Sequence, residues 1–473
     1  MKRLSIILLF TLAGCAVGPD YKRPDAPVSE TYKELAGWSA ARPQDDAPRG
    51  QWWTVFNDPE LDRLLERVDV SNQNVRAADA RLRQAKALAE QARAGLFPTL
   101  AANASGVRSK APSLSNDPSF ANGAVNTFNA NLGASWELDL WGKVRRSVEA
   151  GDASWQASTA QLEAARLSAR AALAQAYFSL RVTDATRQLL ENTVAAYQKN
   201  HELTQNRYNA GVAARVEVVA AEVQLKSAQA QTIDLGVDRA QFEHAIAILV
   251  GEPPSKFSVA PVSAVLAMPR IPVGVPSVLL ERRPDVAAAE RNVAAANARI
   301  GVAKAAMFPT LSLTGSAGFR ASDIANLFSV PSRAWSLGAS ATQPLFDAGL
   351  RSAQTDQAIA VYDEDVATYR QTVLTAFQEV EDNLAALRIL EQEAAVQEEV
   401  VAAARRTLEL TNNQYQAGVV SYINVIVAQT TLLANERSAA SVLGRRLTAS
   451  VALVKALGGG WSTADATAGA TAR

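Results

Sequence analysis

From Lys143 to Asn209 the chain runs without a proline and with a single glycine, Gly151. Inside a helix such breakers cost roughly 1 kcal/mol (Gly) to 3 kcal/mol (Pro) each. Their absence predicts one uninterrupted helix. Apolar residues recur along it at three-four spacing: Trp155, Leu162, Ala169, Leu173, Ala176, Leu180, then Leu190, Val194, Tyr197 and Tyr208. That spacing keeps one stripe on a partner helix along a supercoil. At about 1.5 Å per residue the rod is on the order of 100 Å long, more than a compact globular domain needs. A second stretch, Leu350 to Ala417, has neither Gly nor Pro and carries Val373, Phe377, Val380, Leu384 and Leu387, then Val401, Leu408 and Tyr415. Two such rods predict an internal repeat, which overrides the three-domain expectation for 473 residues.

The N-terminus carries an address. Lys2 and Arg3 precede an apolar run from Leu4 to Leu12, read as a secretory signal peptide over residues 1–14. The run ends in Leu12-Ala13-Gly14-Cys15, similar to the bacterial lipobox, whose cysteine takes a lipid on sulfur and becomes the new N-terminus. Cys15 is the single cysteine, so no internal disulfide can form and a use other than bridging is favoured. Ala16 follows it where aspartate marks inner-membrane retention, so sorting to the outer membrane is expected. Lys+Arg and Asp+Glu both total 47; without Lys2 and Arg3 the balance is 45 against 47, a net charge of −2. No basic field exists to attract nucleic acid. No later stretch reaches the roughly 18 apolar residues of a membrane helix, so any crossing must use β-strands.

Residues 15–50 hold Pro19, Pro24, Pro27, Pro43 and Pro48 and read as an extended, lipidated tether. Trp52, Trp53 and Phe56 begin packed structure, and Asn57-Asp58-Pro59-Glu60 caps a short helix. Helix continues from about Ser71 to Leu96 and stops at Phe97-Pro98. The period then changes to two. Phe128, Ala130, Leu132, Ala134, Trp136 and Leu138 alternate with Thr127, Asn129, Asn131, Gly133, Ser135 and Glu137. This is near the length of a tilted membrane strand (about 9–11 residues) with a lipid face and a wet face. A half-buried hairpin of a soluble protein gives the same alternation. A partner strand is expected from about Thr99 to Val107.

The second half replays the first. Asn74, Val75 and Asp79 match Asp285, Val286 and Glu290, and Phe97-Pro98-Thr99-Leu100 matches Phe308-Pro309-Thr310-Leu311, all displaced by 211. Tyr208-Asn209-Ala210-Gly211-Val212 matches Tyr415-Gln416-Ala417-Gly418-Val419, displaced by 207. The organisation is therefore a first repeat over 51–252, with a hairpin about 97–141, long helix 143–209 and returning helix 215–250. A proline-rich linker follows over 253–276. The second repeat, 277–457, has a hairpin about 308–348, long helix 350–417 and returning helix 421–456. The tail, 458–473, is expected to be disordered. Pro98 and Pro309 mark the helix-to-strand junctions. Four strands cannot close a barrel, and open edges in lipid cost several kcal/mol per unpaired group. Three copies give 12 strands and a pore; two give eight, whose interior side chains nearly fill.

Three stretches carry a family resemblance: Cys15-Ala16-Val17-Gly18-Pro19-Asp20-Tyr21-Lys22-Arg23-Pro24, Trp136-Glu137-Leu138-Asp139-Leu140-Trp141-Gly142, and Glu281-Arg282-Arg283-Pro284-Asp285. In this order, on a duplicated chain, they resemble the TolC-type outer-membrane efflux proteins in their NodT-like lipoprotein branch. The resemblance implies a mainly α fold with a β-barrel part: a homotrimer whose 12-stranded transmembrane barrel is continued by a long α-helical coiled-coil periplasmic barrel. It also implies a periplasmic adaptor and an inner-membrane pump, commonly of the resistance-nodulation-division type, as partners. Closure is expected at the periplasmic tip, where the matching residues are Tyr208, Gly211 and Glu217, then Tyr415, Gly418 and Asn424. Many relatives place acidic residues on the last helix; Asn424 and Val427 stand there instead. A Tyr415–Glu217 hydrogen bond is the expected latch, against plain packing of the tyrosines at a turn.

No enzyme is expected. His201 and His244 sit in no metal or nucleophile pattern, no phosphate-binding glycine loop appears, and the only covalent addition implied is lipid on Cys15. The expected function is an outer-membrane duct passing small molecules received from a pump. Polypeptide secretion through the same duct, or a coiled-coil spacer without a pore, are the alternatives.

Overall fold

Helix and strand alternate in the computed structural model much as the hydrophobic periods require. The structure describes residues 16–27, 31–34, 51–110, 124–262, 268 and 283–459. Residues 1–14 and Cys15, the loop at Ser115, much of the linker over 253–276 and the tail after Gly459 lie outside the described residues.

Asp58 starts helix α1 (Pro59–Ser71): its carboxylate accepts from the Glu60 and Leu61 backbone amides at 3.0 and 3.2 Å, and Pro59 occupies the first turn. Leu61, Leu64, Leu65 and Val68 then fall on one helical face, and all four are buried. The sequence expects the next helix from about Ser71. Instead Asn72, itself buried, separates α1 from α2 (Gln73–Ala94). Its side-chain oxygen accepts from the Asn74 and Val75 amides, while its amide group donates to the Leu249 carbonyl. A short polar side chain that bonds its own backbone breaks a helix in this way.

Strands β1 (Thr99–Ser109) and β2 (Val125–Leu138) follow, then α3 (Lys143–Asn209) and α4 (Arg215–Leu249). The second half gives α5 (Pro284–Ala305), β3 (Thr310–Ala321), β4 (Arg333–Thr342), α6 (Leu350–Gln416) and α7 (Tyr422–Ala456). Equivalent helices have equal lengths: 22 residues in α2 and α5, 67 in α3 and α6, 35 in α4 and α7. The four strands form one antiparallel sheet in the order β1-β2-β3-β4.

The chain falls into two compact units, and α2, α3, α5 and α6 contribute residues to both. The first is built from residues up to Asp25, Leu82–Ala157 and Ala289–Tyr369 and holds the sheet. Here the start of the expected extended tether, residues 17–23, is bonded to the rest of the unit. The Val17 amide donates to the Trp141 carbonyl at 2.9 Å. Asn297 donates to the Pro19 carbonyl at 3.0 Å, and Asp20 pairs with Arg146 at 2.9 Å. The Tyr21 hydroxyl donates to Glu290, and Arg23 donates to the Tyr369 hydroxyl at 3.1 Å. A Cβ added to Gly18 would lie 2.5 Å from the Gly301 Cα, so two glycines let the strap seat against α5.

The second unit comprises Ala26–Arg81, Ser158–Ala288 and Arg370 onward. Its fully buried side chains include Tyr177, Phe178, Leu180, Ile246, Leu384 and Leu447. The Tyr177 hydroxyl donates to Asp58 at 2.6 Å, so one carboxylate both caps α1 and satisfies a buried phenol. Part of the expected linker is bonded here. Arg239 and Arg181 donate to the carbonyls of Val259 and Ala260 at 2.6 and 2.8 Å, and Asp184 pairs with both arginines. Arg283 bonds Asp285, Glu379 and the Ala456 carbonyl, which closes the start of α5 against the end of α7.

Replacing Asp58 by Ala removes the cap, at about 1 kcal/mol, and strands the Tyr177 hydroxyl, at about 1–3 kcal/mol. The expected result is a loss of about 2–4 kcal/mol in the urea midpoint analysis of the detergent-solubilised protein. Asp58→Asn, which keeps an acceptor oxygen, loses less than half of that.

Candidate functional site

Two features stand apart from ordinary packing: the sheet in the first unit and the helical turns in the second. In the sheet, residues directly opposite share a face. The register sets Leu132 opposite Ala102 on β1 and Ala317 on β3, and Ala317 opposite Trp335 on β4. One face is thus Leu100, Leu132, Trp136, Leu313, Phe319 and Trp335 with alanines and glycines between. The other carries Thr99, Asn103, Asn129, Asn131, Ser316 and Ser336. On that polar face Asn129 reaches Ser105 at 3.3 Å, Asn103 reaches Asn131 at 3.4 Å, and the Ser316 and Ser336 hydroxyls are 2.8 Å apart.

The exposures decide between the two readings of the alternation. Trp335 and Leu337 are 82% and 80% exposed, and Leu100 is 78% exposed. A soluble hairpin would cover one face with core; here, among the described residues, only Phe328 packs on that face, its ring 5.4 Å from that of Phe319, and Trp335, Leu337 and Leu100 stay bare. The strands run 11, 14, 12 and 10 residues, enough to cross a bilayer at a tilt. The outer edges of β1 and β4 have no strand partner among the described residues of the protomer.

Pro98 and Pro309 each stand in the residue before a strand, as expected. The carbonyls around these junctions are taken by side chains. Trp136 Nε1 donates to the Leu96 carbonyl at 3.1 Å, and Gln343 Nε2 to Met307 at 3.0 Å. Trp141 Nε1 donates to Pro309 at 2.8 Å, with its ring stacked on Phe308 at 4.8 Å. Returning to helix, Asp139 caps α3 through the Val144 and Arg145 amides, and Asp347 caps α6 through Gly349 and Arg351. The Arg351 side chain and those amides hold the Asp347 carboxyl below its ordinary pKa.

At the helical turns the backbone repeats itself. Gly211 and Gly418 both take φ +75°, the left-handed conformation that ends a helix. The Val212 amide donates to the Arg207 carbonyl and the Val419 amide to the Gln414 carbonyl, each at 2.9 Å. The side chains do not repeat. Tyr208 is 38% exposed, whereas Tyr415 is 8% exposed. Tyr415 packs with Tyr422, Ala221 and Val425, its ring 5.3 Å from that of Tyr422. The Arg207 guanidinium lies 4.7 Å from the Tyr415 ring centroid.

The expected Tyr415–Glu217 hydrogen bond is not formed: the Tyr415 hydroxyl is buried and has no hydrogen-bond partner among the described residues. Burial raises its pKa, with Arg207 opposing and Glu217 adding to the shift. Burial likewise pushes Tyr422 up to about 12. Asn424 and Val427 are exposed on α7, Asn424 donating to the Ser421 hydroxyl at 3.3 Å. One turn further in, Gln224 donates to Gln429 at 3.1 Å, a buried amide pair. Sequence reasoning missed Arg207, Tyr422 and this pair. Tyr422 stands seven residues after Tyr415, which could have marked it; Arg207 carries no signal.

The comparisons fit this geometry. A family model described as outer membrane efflux protein matches residues 64–252 and 275–459, one segment in each repeat. The toluene efflux pump outer membrane protein TtgC of Pseudomonas putida is 32% identical over 466 residues, covering 96% of this chain and 94% of that one. The pyoverdine export outer membrane protein OpmQ of Pseudomonas aeruginosa is 34% identical over 473 residues, with 98% of each covered. Among solved structures, the outer-membrane channel OprN superposes with a TM-score of 0.87 at 31% identity, covering 94% of this chain and all of that one. The chain belongs to the outer membrane efflux protein family.

Proposed function

We propose that three copies of this chain close a 12-stranded barrel in the outer membrane, continued by their long helices as a periplasmic conduit. The single observation that carries this reading is the four-stranded sheet with a largely bare apolar face and two edges unpaired among the described residues. In hydrocarbon every backbone N–H and C=O must find a partner, so the edges must meet other copies. Eight strands leave an interior nearly filled by side chains; 12 leave a pore.

Cys15 carries the lipid in this reading. Ala16 and Val17 sit beside Trp141, three residues past the end of β2. An acyl chain on Cys15 therefore enters the leaflet at the foot of the strands. A periplasmic adaptor and an inner-membrane pump of the resistance-nodulation-division type, the partners that the family resemblance implies, complete the assembly; the sequence shows no nucleotide-binding loop, so energy comes from the pump. Small molecules are the cargo, in line with the toluene and pyoverdine in the relatives' names. Tyr208, Gly211, Glu217, Tyr415, Gly418, Asn424 and Val427 form the closing tip. There the Arg207–Tyr415 contact, in place of a hydroxyl latch, holds the α6 turn.

Four outcomes are expected. The lipidated particle in mild detergent, corrected for bound detergent and lipid, has a mass near three times 50.3 kDa less three signal peptides; a stable native monomer removes the duct. A deletion strain becomes sensitive to dyes, solvents or antibiotics while exporting polypeptides normally; the reverse pattern makes the cargo protein. At the tip, Tyr415→Phe leaves closed-state conductance in planar bilayers unchanged. Arg207→Ala, which removes a contact worth about 0.5–1 kcal/mol, raises the open fraction about two- to fivefold.

A further inference from the structure

We propose that β4 of one copy pairs antiparallel with β1 of the next in the single register that sets Ser340 opposite Ser105. The seam between copies is then a replica of the β2·β3 seam within each copy. This rests on the reading of the sheet as one third of a closed wall.

Two fixed displacements relate the repeats. Strand β1 maps onto β3 at 211, as Pro98-Thr99-Leu100 and Pro309-Thr310-Leu311 require. Strand β2 maps onto β4 at 207: the partners Thr99 and Ser135 become Thr310 and Thr342, which are themselves partners. Side-chain bonds obey the same rule. Trp136 donates to the Leu96 carbonyl; adding 207 and 211 gives Gln343 and Met307, and Gln343 donates to the Met307 carbonyl. Two different side chains make one bond at equivalent places, so the mapping is geometric as well as sequential.

Applied to the β2·β3 ladder, the displacements convert Gly133–Ser316 into Ser340–Ser105, and Ala134–Gly315 into Ala341–Ala104. Asn131–Gly318 becomes Gly338–Val107, and Leu138–Leu311 becomes Leu345–Leu100. Three features support this register over its neighbours. Leu345, three residues past the end of β4 and 94% exposed, and Leu100 are bare in the protomer, and this register brings them level at the rim of the seam, as Leu138 and Leu311 are level within the copy. At the tight position a Cβ on Gly318 would lie 2.3 Å from the Ala130 carbonyl oxygen. The new seam also has one glycine there, contributed by the other strand. A shift of two residues sets Val107 against Ser336 or Ser340 and loses it, and a shift of one turns the apolar face inward.

The third feature is the stagger. Leu100 is level, through Ala134, with Gly315, four residues beyond its repeat equivalent Leu311. In the proposed seam Leu311 is level, through Ala341, with Ala104, again four residues beyond Leu100. A closed barrel with evenly tilted strands requires this constant step.

The test uses the full-length lipidated protein, whose only native cysteine is Cys15. Two double variants, Ala104→Cys/Ala341→Cys and Ser105→Cys/Ser340→Cys, sample adjacent pairs. One pair is wide and the other narrow in an antiparallel ladder, so at least one suits a disulfide. Oxidised in isolated outer membranes, at least one variant should convert more than half of the chain into reducible covalent dimers and trimers. The single variants and the shifted doubles, Asn103→Cys/Ser340→Cys and Val107→Cys/Ser340→Cys, should convert less than a tenth. Co-expressed Ser105→Cys and Ser340→Cys single variants should give dimers of the two different chains, which places the bond between copies. Preferential cross-linking of a shifted pair overturns the register. So does failure of both predicted pairs in particles whose mass is that of a trimer. A particle mass other than a trimer's refutes the wall itself, a separate result.

Discussion

A backbone in hydrocarbon has no water to bond, and this one requirement shapes the rest of the chain. It makes the sheet's outer edges untenable in a lone copy. It explains why apolar side chains as large as Trp335 and Leu337 are left bare on one face while hydroxyls and amides line the other. It also fixes the junctions. Where helix gives way to strand, backbone carbonyls lose their ladder partners, and at both sites a side chain from the adjacent strand end takes one of them: Trp136 at Leu96 and Gln343 at Met307. The carboxylates of Asp139 and Asp347 perform the reverse service for the amides that begin α3 and α6.

Much of this was legible in the sequence because the two periods are long and clean. The absence of breakers bounded α3 at Lys143 and Asn209, and the alternation after Thr127 marked β2. Glycine after tyrosine located both turns, since only a residue at ease with positive φ ends a helix so tightly. The break at Asn72 was read over: a lone asparagine in an alanine-rich run signals a cap only weakly, and the second bond that fixes it, to the Leu249 carbonyl, comes from α4, far along the chain. The tip was half legible. Its turns follow from sequence, but the Arg207–Tyr415 contact and the buried Gln224–Gln429 pair join residues about 200 positions apart that no local pattern connects.

The three family stretches gain a physical meaning once placed. The residues from Val17 to Arg23 are a strap, with a glycine for close approach, a carbonyl for Asn297, a carboxylate for Arg146 and a phenol for Glu290. The stretch ending at Trp141-Gly142 supplies a helix cap and a ring for Phe308. Arg283 anchors α5 to Glu379 and the Ala456 carbonyl. Each is a joint where two elements distant in sequence must meet at one angle. A joint specifies several side chains at once, so its sequence is recognisable where a helix face, which accepts any apolar residue of suitable size, is not.

Duplication then sets where the halves can differ. Backbone geometry repeats wherever the backbone itself is constrained: helix lengths, the φ of Gly211 and Gly418, the strand pairing. Side chains diverge wherever the two halves meet different neighbours. Trp141 stacks on Phe308 inside the copy, while its equivalent Ala348 has no ring and Phe97, the equivalent of Phe308, is 68% exposed against 38% for Phe308. Tyr208 is exposed where Tyr415 is buried. A ring of three copies therefore has six turns of one backbone shape but two chemistries in alternation. One set, built on Tyr415 and Tyr422, is held by packing within its own copy. The other presents Tyr208 and Val212 outward, free to meet whatever lies beyond the protomer.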